Sequence, residues 1–151
     1  MATIFEPAAF AELMRRIGAI EEDASRQWGR MSVEGMICHL NDAFLMVLGE
    51  RPSEKRPSWV ERTALRFLAL HTPMPWPKGA QTPAEIDQEK GGSQPGEFDQ
   101  DKLNLQSTLE RFANEAQGRS MFHPIFGQLS TPELGRWAYR HVDHHLRQFD
   151  A

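Results

Sequence analysis

Apolar residues recur at helical spacing in four long segments of this 151-residue chain. After Pro7, for example, Leu13, Ile17 and Ile20 follow one another at steps of three or four residues. Such spacing places apolar side chains on one face of a helix, and that face has to pack against other helices. No segment alternates between apolar and polar residues over the length of a strand. We therefore predict an all-α fold, a four-helix bundle, in one domain spanning residues 1–151.

Residues that favour helix ends divide the chain into these segments. Proline is tolerated at the first helical position, serine and aspartate cap N-termini, and glycine often follows the last turn. In the third helix, Leu103, Leu105, Leu109 and Phe112 are expected to face inward. The predicted helices begin at Pro7, after Ser32, after Asp99 and at Thr131.

The region between the second and third bundle helices differs in character. Residues from Pro57 to Leu70 are predicted to form an extra helix, and the stretch from His71 to Gly96 contains too much proline and glycine for regular structure. A loop of that length in a compact domain is usually functional or mobile, and its aromatic content favours an ordered lid. Extra helix and loop together make one long crossover, which permits an up-down-down-up order of the bundle helices.

Three histidines carry the main functional signal. His141 and His145 are four residues apart in the last helix, so they share one face. A helical wheel places both inside the apolar sector of that helix, whereas His144 lies at the edge. His39, on the second helix, reaches the level of the pair if the two helices run antiparallel. Because buried imidazoles need partners, we predict a three-histidine site for a divalent metal with open positions for chemistry.

Other side chains are candidates for supporting roles. Ligand histidines usually need an acceptor for their second ring N–H, and Asp42 and Gln148 are candidates for that role, with a solvated or capping role as the alternative for each. Trp76 and Lys78 could line a pocket or simply pack within the lid. His144 could serve as an acid/base at the mouth of the site, or have no role.

Part of this pattern resembles a known group of proteins. The segment from Trp28 to Leu40 resembles the first histidine helix of the DinB/YfiT-like superfamily, and His141 with His145 matches its C-terminal pair. The end of the chain resembles a subfamily of uncharacterised DinB-like proteins. The resemblance implies a four-helix bundle in which His39, His141 and His145 bind a divalent metal, often nickel or zinc. Characterised relatives include transferases and isomerases that use a low-molecular-weight thiol.

Composition narrows the choice of partners and of compartment. The net charge of −4 and the lack of a basic stripe argue against nucleic acid. No apolar run is long enough to span a bilayer, no secretion signal is visible at the start, and one cysteine, Cys38, fits a reducing compartment. We therefore expect a cytoplasmic protein with a small-molecule substrate and no membrane partner. An exposed helix face would also allow a homodimer.

Two functions from different classes remain open at this point. The first is a metal-dependent enzyme that acts on a small molecule by thiol transfer or hydrolysis, since a metal held by neutral imidazoles activates a thiol or a water. The second is a non-catalytic helical bundle that binds a small ligand or a partner chain, with no metal and with histidines satisfied inside the core. The two differ in whether the purified protein holds metal.

Overall fold

The structure is a computed structural model that describes residues 1–53, 59–80 and 82–151. Within these residues the fold is mostly helical, as predicted, with five α-helices and a small two-stranded sheet. A short 3-10 helix, Ala84–Ile86, lies in the crossover. In chain order the elements are α1 (Pro7–Ala19), α2 (Val33–Val47), α3 (Trp59–His71), α4 (Phe98–Ala116), β1 (Met121–His123), β2 (Gly127–Leu129) and α5 (Thr131–Gln148).

Local signals explain where the helices begin and end. Ser32 caps α2, because its hydroxyl accepts the backbone N–H three residues along at 3.1 Å. Gly49 adopts a φ of +82° just after that helix, a conformation that glycine adopts without strain. Helix α4 begins at Phe98, slightly before the predicted start, because the carboxylate of Glu97 accepts the N–H of Asp99 and of the next residue. The N-cap is therefore Glu97, and Asp99 lies inside the helix.

Helix α2 is the central element of the fold. It packs against α4, α5, β1 and the 3-10 helix, so its side chains are buried on nearly every side. A helix with this environment buries its polar residues together with its apolar ones. His39 is 4% exposed and Asp42 is 0% exposed for this reason. Helix α1 covers α4 and α5 from the other side, and α3 packs on α5.

The segment between α4 and α5 contains a feature that the sequence did not predict. Residues 124–126 form a turn between two antiparallel strands. Met121 pairs with Leu129, and His123 pairs with Gly127. Each strand has three residues, which is too short for an alternating pattern to be recognised in the sequence.

Expectations about individual residues of α3 and α4 were met in part. Leu105, Leu109 and Phe112 are fully buried, as predicted, but the prediction for Leu103 was wrong, since it is 58% exposed. At about 100° per residue, Leu103 lies roughly 200° around the helix from Leu105, on the opposite face. The predicted first residue of the extra helix, Pro57, lies outside the described residues.

None of the helices in the described part of the chain is long and apolar enough to cross a membrane.

Candidate metal site

The three histidines singled out in the sequence come together in the structure. His39 on α2 meets His141 and His145 on α5, and one possible ligand atom from each lies within 4.8 Å of the others. The Nε2 atoms of His39 and His141 are 3.2 Å apart. Such a cluster could hold a metal ion, although its members come from helices about 100 residues apart in the sequence.

The tautomer of His39 is fixed by a backbone carbonyl. Its Nδ1 lies 2.9 Å from the carbonyl oxygen of Ile86, in the 3-10 helix of the crossover. A carbonyl oxygen only accepts hydrogen bonds, so Nδ1 carries the proton and Nε2 carries a free lone pair. Burial lowers the pKa of His39, which keeps the ring neutral at neutral pH. The lone pair of Nε2 therefore points at the other two histidines.

The tautomer of His145 is fixed in the same way by a side chain. Its Nδ1 lies 3.1 Å from Oε1 of Gln148. The amide nitrogen of Gln148 donates to the carbonyl oxygen of Trp28 at 2.9 Å, so Oε1 is left to accept and Nδ1 of His145 donates. Burial lowers the pKa of His145 well below its ordinary value. Gln148 thus makes the contact that a supporting residue of a ligand histidine makes.

His141 has an unsatisfied ring nitrogen. Among the described residues, its buried Nδ1 has no hydrogen-bond partner. If Nδ1 of His141 carries the proton, that donor is buried without an acceptor, and the Nε2 lone pairs of His39 and His141 face each other at 3.2 Å. If Nε2 of His141 carries the proton, Nδ1 is a buried acceptor without a donor. Burial, with the neighbouring His145 and His39, lowers the pKa of His141 well below its ordinary value. The cluster by itself therefore leaves polar groups unpaired.

The geometry and the donor set fit a divalent first-row metal. Two nitrogens at about 2.1 Å from a tetrahedral zinc ion lie about 3.4 Å apart, close to the observed 3.2 Å. The widest spacing in the cluster, up to 4.8 Å, would shorten by up to about 1.4 Å around such an ion. Neutral imidazole nitrogens suit zinc, nickel, copper and iron. Three protein ligands also leave at least one position open.

Asp42 does not take the place that the sequence suggested. Its carboxylate accepts hydrogen bonds from Arg51 and from both the backbone and the hydroxyl of Ser93, and it makes no hydrogen bond to His39. The acceptor for His39 is instead the Ile86 carbonyl. Sequence reasoning missed Ile86 because any residue in a long loop can offer its carbonyl, and no side-chain pattern marks the one that does.

The outer side of the cluster is lined by aromatic side chains. The ring of Trp76 lies 5.8 Å from that of His141 and 6.0 Å from that of His144. Trp28 lies 5.9 Å from His144, and the ammonium group of Lys78 sits 4.4 Å above the Trp28 ring. Trp76 thus contacts the histidine cluster directly, and Lys78 lies over the Trp28 ring beside it. Burial lowers the pKa of the partly exposed His144.

Arg140 holds the proline-rich loop against α5. One of its amino groups donates to the carbonyl of Thr72 at 2.6 Å, and the other donates to the carbonyl of Met74. The indole N–H of Trp76 donates to the carbonyl of Ala69 at 3.1 Å. These bonds hold Trp76 beside His141 and His144.

A comparison with known protein families places the chain. The model of a family described as a protein of unknown function, DUF1569, matches residues 6–151. The chain belongs to the DUF1569 family. No curated protein and no solved structure matches it. The DUF1569 match contains all three histidines, together with Ile86 and Gln148.

Other reactive side chains of the DUF1569 protein have structural partners. Burial raises the pKa of the Cys38 thiol to about 12, and its sulfur lies 3.7 Å from a carboxylate oxygen of Asp101. His71 bonds to Glu133 at 2.9 Å. The Nδ1 of His123 accepts two backbone N–H groups of the turn between β1 and β2, at 3.1 and 3.3 Å. None of the three belongs to the histidine cluster.

Proposed function

We propose that this DUF1569 protein is a metal-dependent enzyme. His39, His141 and His145 bind one divalent ion, nickel or zinc, and the protein acts on a small molecule by thiol transfer or hydrolysis. One observation carries the proposal. A ring nitrogen of each histidine lies within 4.8 Å of the other two, and Ile86 and Gln148 hold two of the rings in the tautomer that leaves Nε2 free.

The charge of the site supports this chemistry. Among the described residues, no carboxylate hydrogen-bonds to the three rings. A divalent ion held by three neutral imidazoles keeps its full charge, and it lowers the pKa of a water or thiol beside it. Trp28 and Trp76 limit access of bulk water from the outer side. His144 lies between them, partly exposed and with a lowered pKa, so it could accept a proton there.

The sulfur for a thiol reaction would come from outside the protein. Cys38 is the only cysteine, and its thiol stays protonated at neutral pH because burial raises its pKa to about 12. A low-molecular-weight thiol is therefore the proposed cosubstrate. Trp76 and Lys78 line its path to the site.

We also propose that the helices are arranged as in the DinB-like superfamily, up-down-down-up, with α3 in the crossover. Support comes from the packing of α1 on α4 and α5, and of α2 on the same two helices. The meeting of α2 and α5 at the histidines also fits, because their positions in the two helices reach one level only when the helices are antiparallel.

Elemental analysis of untagged protein tests the metal site. We expect about one divalent ion per chain in the parent protein and little in the His141→Ala/His145→Ala variant. His71→Gln serves as the control, because His71 contacts Glu133 and lies outside the cluster. No metal in the parent, even after incubation with nickel, zinc or manganese, would refute the proposal and favour a non-catalytic binding module.

Activity is tested separately on metal-loaded protein. Thiol transfer to an electrophile and hydrolysis of ester or amide substrates are compared between the parent and the double variant. Turnover that requires both the metal and an added thiol identifies the transferase, and turnover without thiol identifies the hydrolase. A loaded protein that catalyses neither would keep the metal site and remove the enzymatic part of the proposal.

A further inference from the structure

A buried network around Asp42 fastens the crossover loop to α2. One carboxylate oxygen accepts from Arg51 at 3.0 Å and from the hydroxyl of Ser93 at 2.7 Å. The other accepts from the backbone N–H of Ser93 at 2.8 Å and from the amide of Gln88 at 3.3 Å. The side chain of Asp42 is 0% exposed, so these contacts replace water entirely. Asp42 therefore fixes the far end of the loop that carries Ile86.

Arg51 extends this network to the backbone on both sides of Ile86. Its Nε donates to the carbonyl of Glu85 at 3.0 Å, and its Nη2 donates to the carbonyl of Gly91 at 2.6 Å. The N–H of Gly91 in turn donates to the carbonyl of Ala84 at 2.9 Å. The three-residue helix that ends at Ile86 is thus held between a guanidinium group and a backbone hydrogen bond.

Both partners of the bond between His39 and Ile86 are consequently anchored to α2. His39 belongs to that helix, and Asp42 lies on it three residues further along. We infer that Asp42 is a positioning residue for the metal ligand His39: through Arg51 and Ser93 it holds the Ile86 carbonyl where it keeps the proton of His39 on Nδ1. This inference rests on the proposed function, since it concerns a ligand of that metal site.

Stability alone does not account well for a buried acid at this point. Removing a carboxylate and a guanidinium from water costs energy that their attraction often does not recover, and apolar residues would hold the loop as firmly. An ion pair with fixed hydrogen bonds defines the place of a backbone carbonyl more sharply than apolar packing does. Partners that orient a ligand histidine typically change metal affinity when they are altered.

The test compares Asp42→Asn and Ser93→Ala with Glu133→Gln as control. Asparagine keeps the shape of Asp42 but removes its charge. Its NH2 group would face the N–H and O–H groups that donate to the carboxylate in the parent protein. Nitrogen NMR of the histidine rings in metal-free protein reports the tautomer of His39, and cobalt(II) titration reports metal affinity. We expect Asp42→Asn to mix the tautomers and to weaken cobalt binding about 10- to 100-fold. Ser93→Ala should act in the same direction but more weakly, and the control should change neither readout.

The outcomes separate the inference from the proposed function. A parent protein that binds no cobalt defeats the proposed function, and the tautomer of His39 then decides alone whether Asp42 positions that ring. An unchanged tautomer and unchanged cobalt affinity in Asp42→Asn overturn the inference and leave the metal site standing. If Asp42→Asn does not fold, Ser93→Ala decides, because it keeps the backbone bond from residue 93 to Asp42.

Discussion

Helix α5 carries two buried polar clusters, about two turns apart, that are built on opposite principles. In the first, the Glu133 cluster, the carboxylate accepts two bonds from Arg66, at 2.7 and 2.6 Å, one from His71 and two from Ser130. In the second, the histidine cluster, three ring nitrogens face one another and share a single contact at 3.2 Å. The first cluster is complete within the protein, and the second is not.

The titration behaviour follows from this difference. Burial opposes ionisation of Glu133, but the bonds from Arg66, Ser130 and His71 outweigh it and hold the pKa of the carboxyl well below its usual range. In the histidine cluster, burial lowers the pKa of every ring, and the carboxylates of Asp42 and Asp87 oppose this only in part at His39. A polar cluster that serves structure satisfies its own groups, whereas one that leaves lone pairs convergent is suited to a ligand.

The largest expected effect belongs to the complete cluster. Glu133→Ala leaves Arg66 without its carboxylate and removes the bonds that join α3 to α5, so we expect a loss of about 3 kcal/mol of unfolding free energy. Urea denaturation measures this loss, and metal content should be unchanged. Glu12→Ala, which breaks an exposed pair with Arg15, should cause no measurable loss. A fall in metal content in Glu133→Ala would contradict the independence of the two clusters.

The incomplete cluster should respond to substitution with two effects of opposite sign. His141→Phe removes the unpaired Nδ1 but keeps an aromatic ring at this position. Without metal, the free energy of unfolding of the variant should therefore rise by about 1 kcal/mol. Nickel at 100 times its Kd should stabilise the parent by about 2.7 kcal/mol and the variant not at all. Thermal unfolding with and without nickel measures both effects. A variant that is still stabilised by nickel would show that the ion binds elsewhere.

His123 extends the contrast to pH, because its Nδ1 is paired within the protein. Its Nδ1 accepts two N–H groups, and burial lowers its pKa to about 3, against an unfolded value of about 6.5. Between these values the unfolded chain binds a proton that the folded protein does not, so stability falls as pH decreases. This group alone should remove about 2 kcal/mol at pH 5 relative to pH 8.

The variant His123→Asn isolates that contribution, because the site histidines titrate in the same direction and remain in both proteins. Urea denaturation at pH 8 and pH 5 should show a smaller difference in the variant than in the parent. Equal differences in the two proteins would mean that His123 is protonated in the folded state at pH 5.

The smallest expected effect tests the support of His145. Gly29 has a φ of +77°, and a Cβ atom there would lie 2.8 Å from the amide nitrogen of Gln148. Gly29→Ala should cost about 1 kcal/mol for the backbone, and by displacing Gln148 it should weaken nickel binding roughly 10-fold. Gly118→Ala is the matched control, since its φ is +76° with nothing within 4 Å. Equal nickel affinity in the two variants would show that Gln148 does not support His145 as a metal ligand.

The parts of the site that sequence could predict are those set by local geometry. His141 and His145 share a face because four residues make about one helical turn, and Gln148 follows one turn later by the same rule. The acceptor of His39 is 47 residues away in the chain, so no periodicity connects the two. Its position on the same helix makes Asp42 a candidate for that role, but its side chain turns to Arg51 and Ser93.

The fold shows the same division. Helices with an apolar face and a capping residue, such as α2 with Ser32, can be predicted from the sequence because both signals are local. The hairpin at residues 121–129 is not, because three-residue strands carry no period and depend on their partner for their conformation. The path of the crossover across the histidines likewise depends on Arg140 and Arg51, whose bonds go to backbone carbonyls far away in the chain.

His39 lies far along the chain from the other two histidines of the proposed metal site, and this decides whether folding or metal binding comes first. His39 and His141 are 102 residues apart, and Ile86 lies between them. Of the three histidines, only His141 and His145 are close together in an unfolded chain, so the proposed metal would not organise the chain in the way that zinc organises a zinc finger. Contacts of such long range are slow to form, because loop-closure entropy opposes them. Loading of the proposed site would therefore follow folding, and a newly made chain would pass through a folded form that has not yet bound its ion.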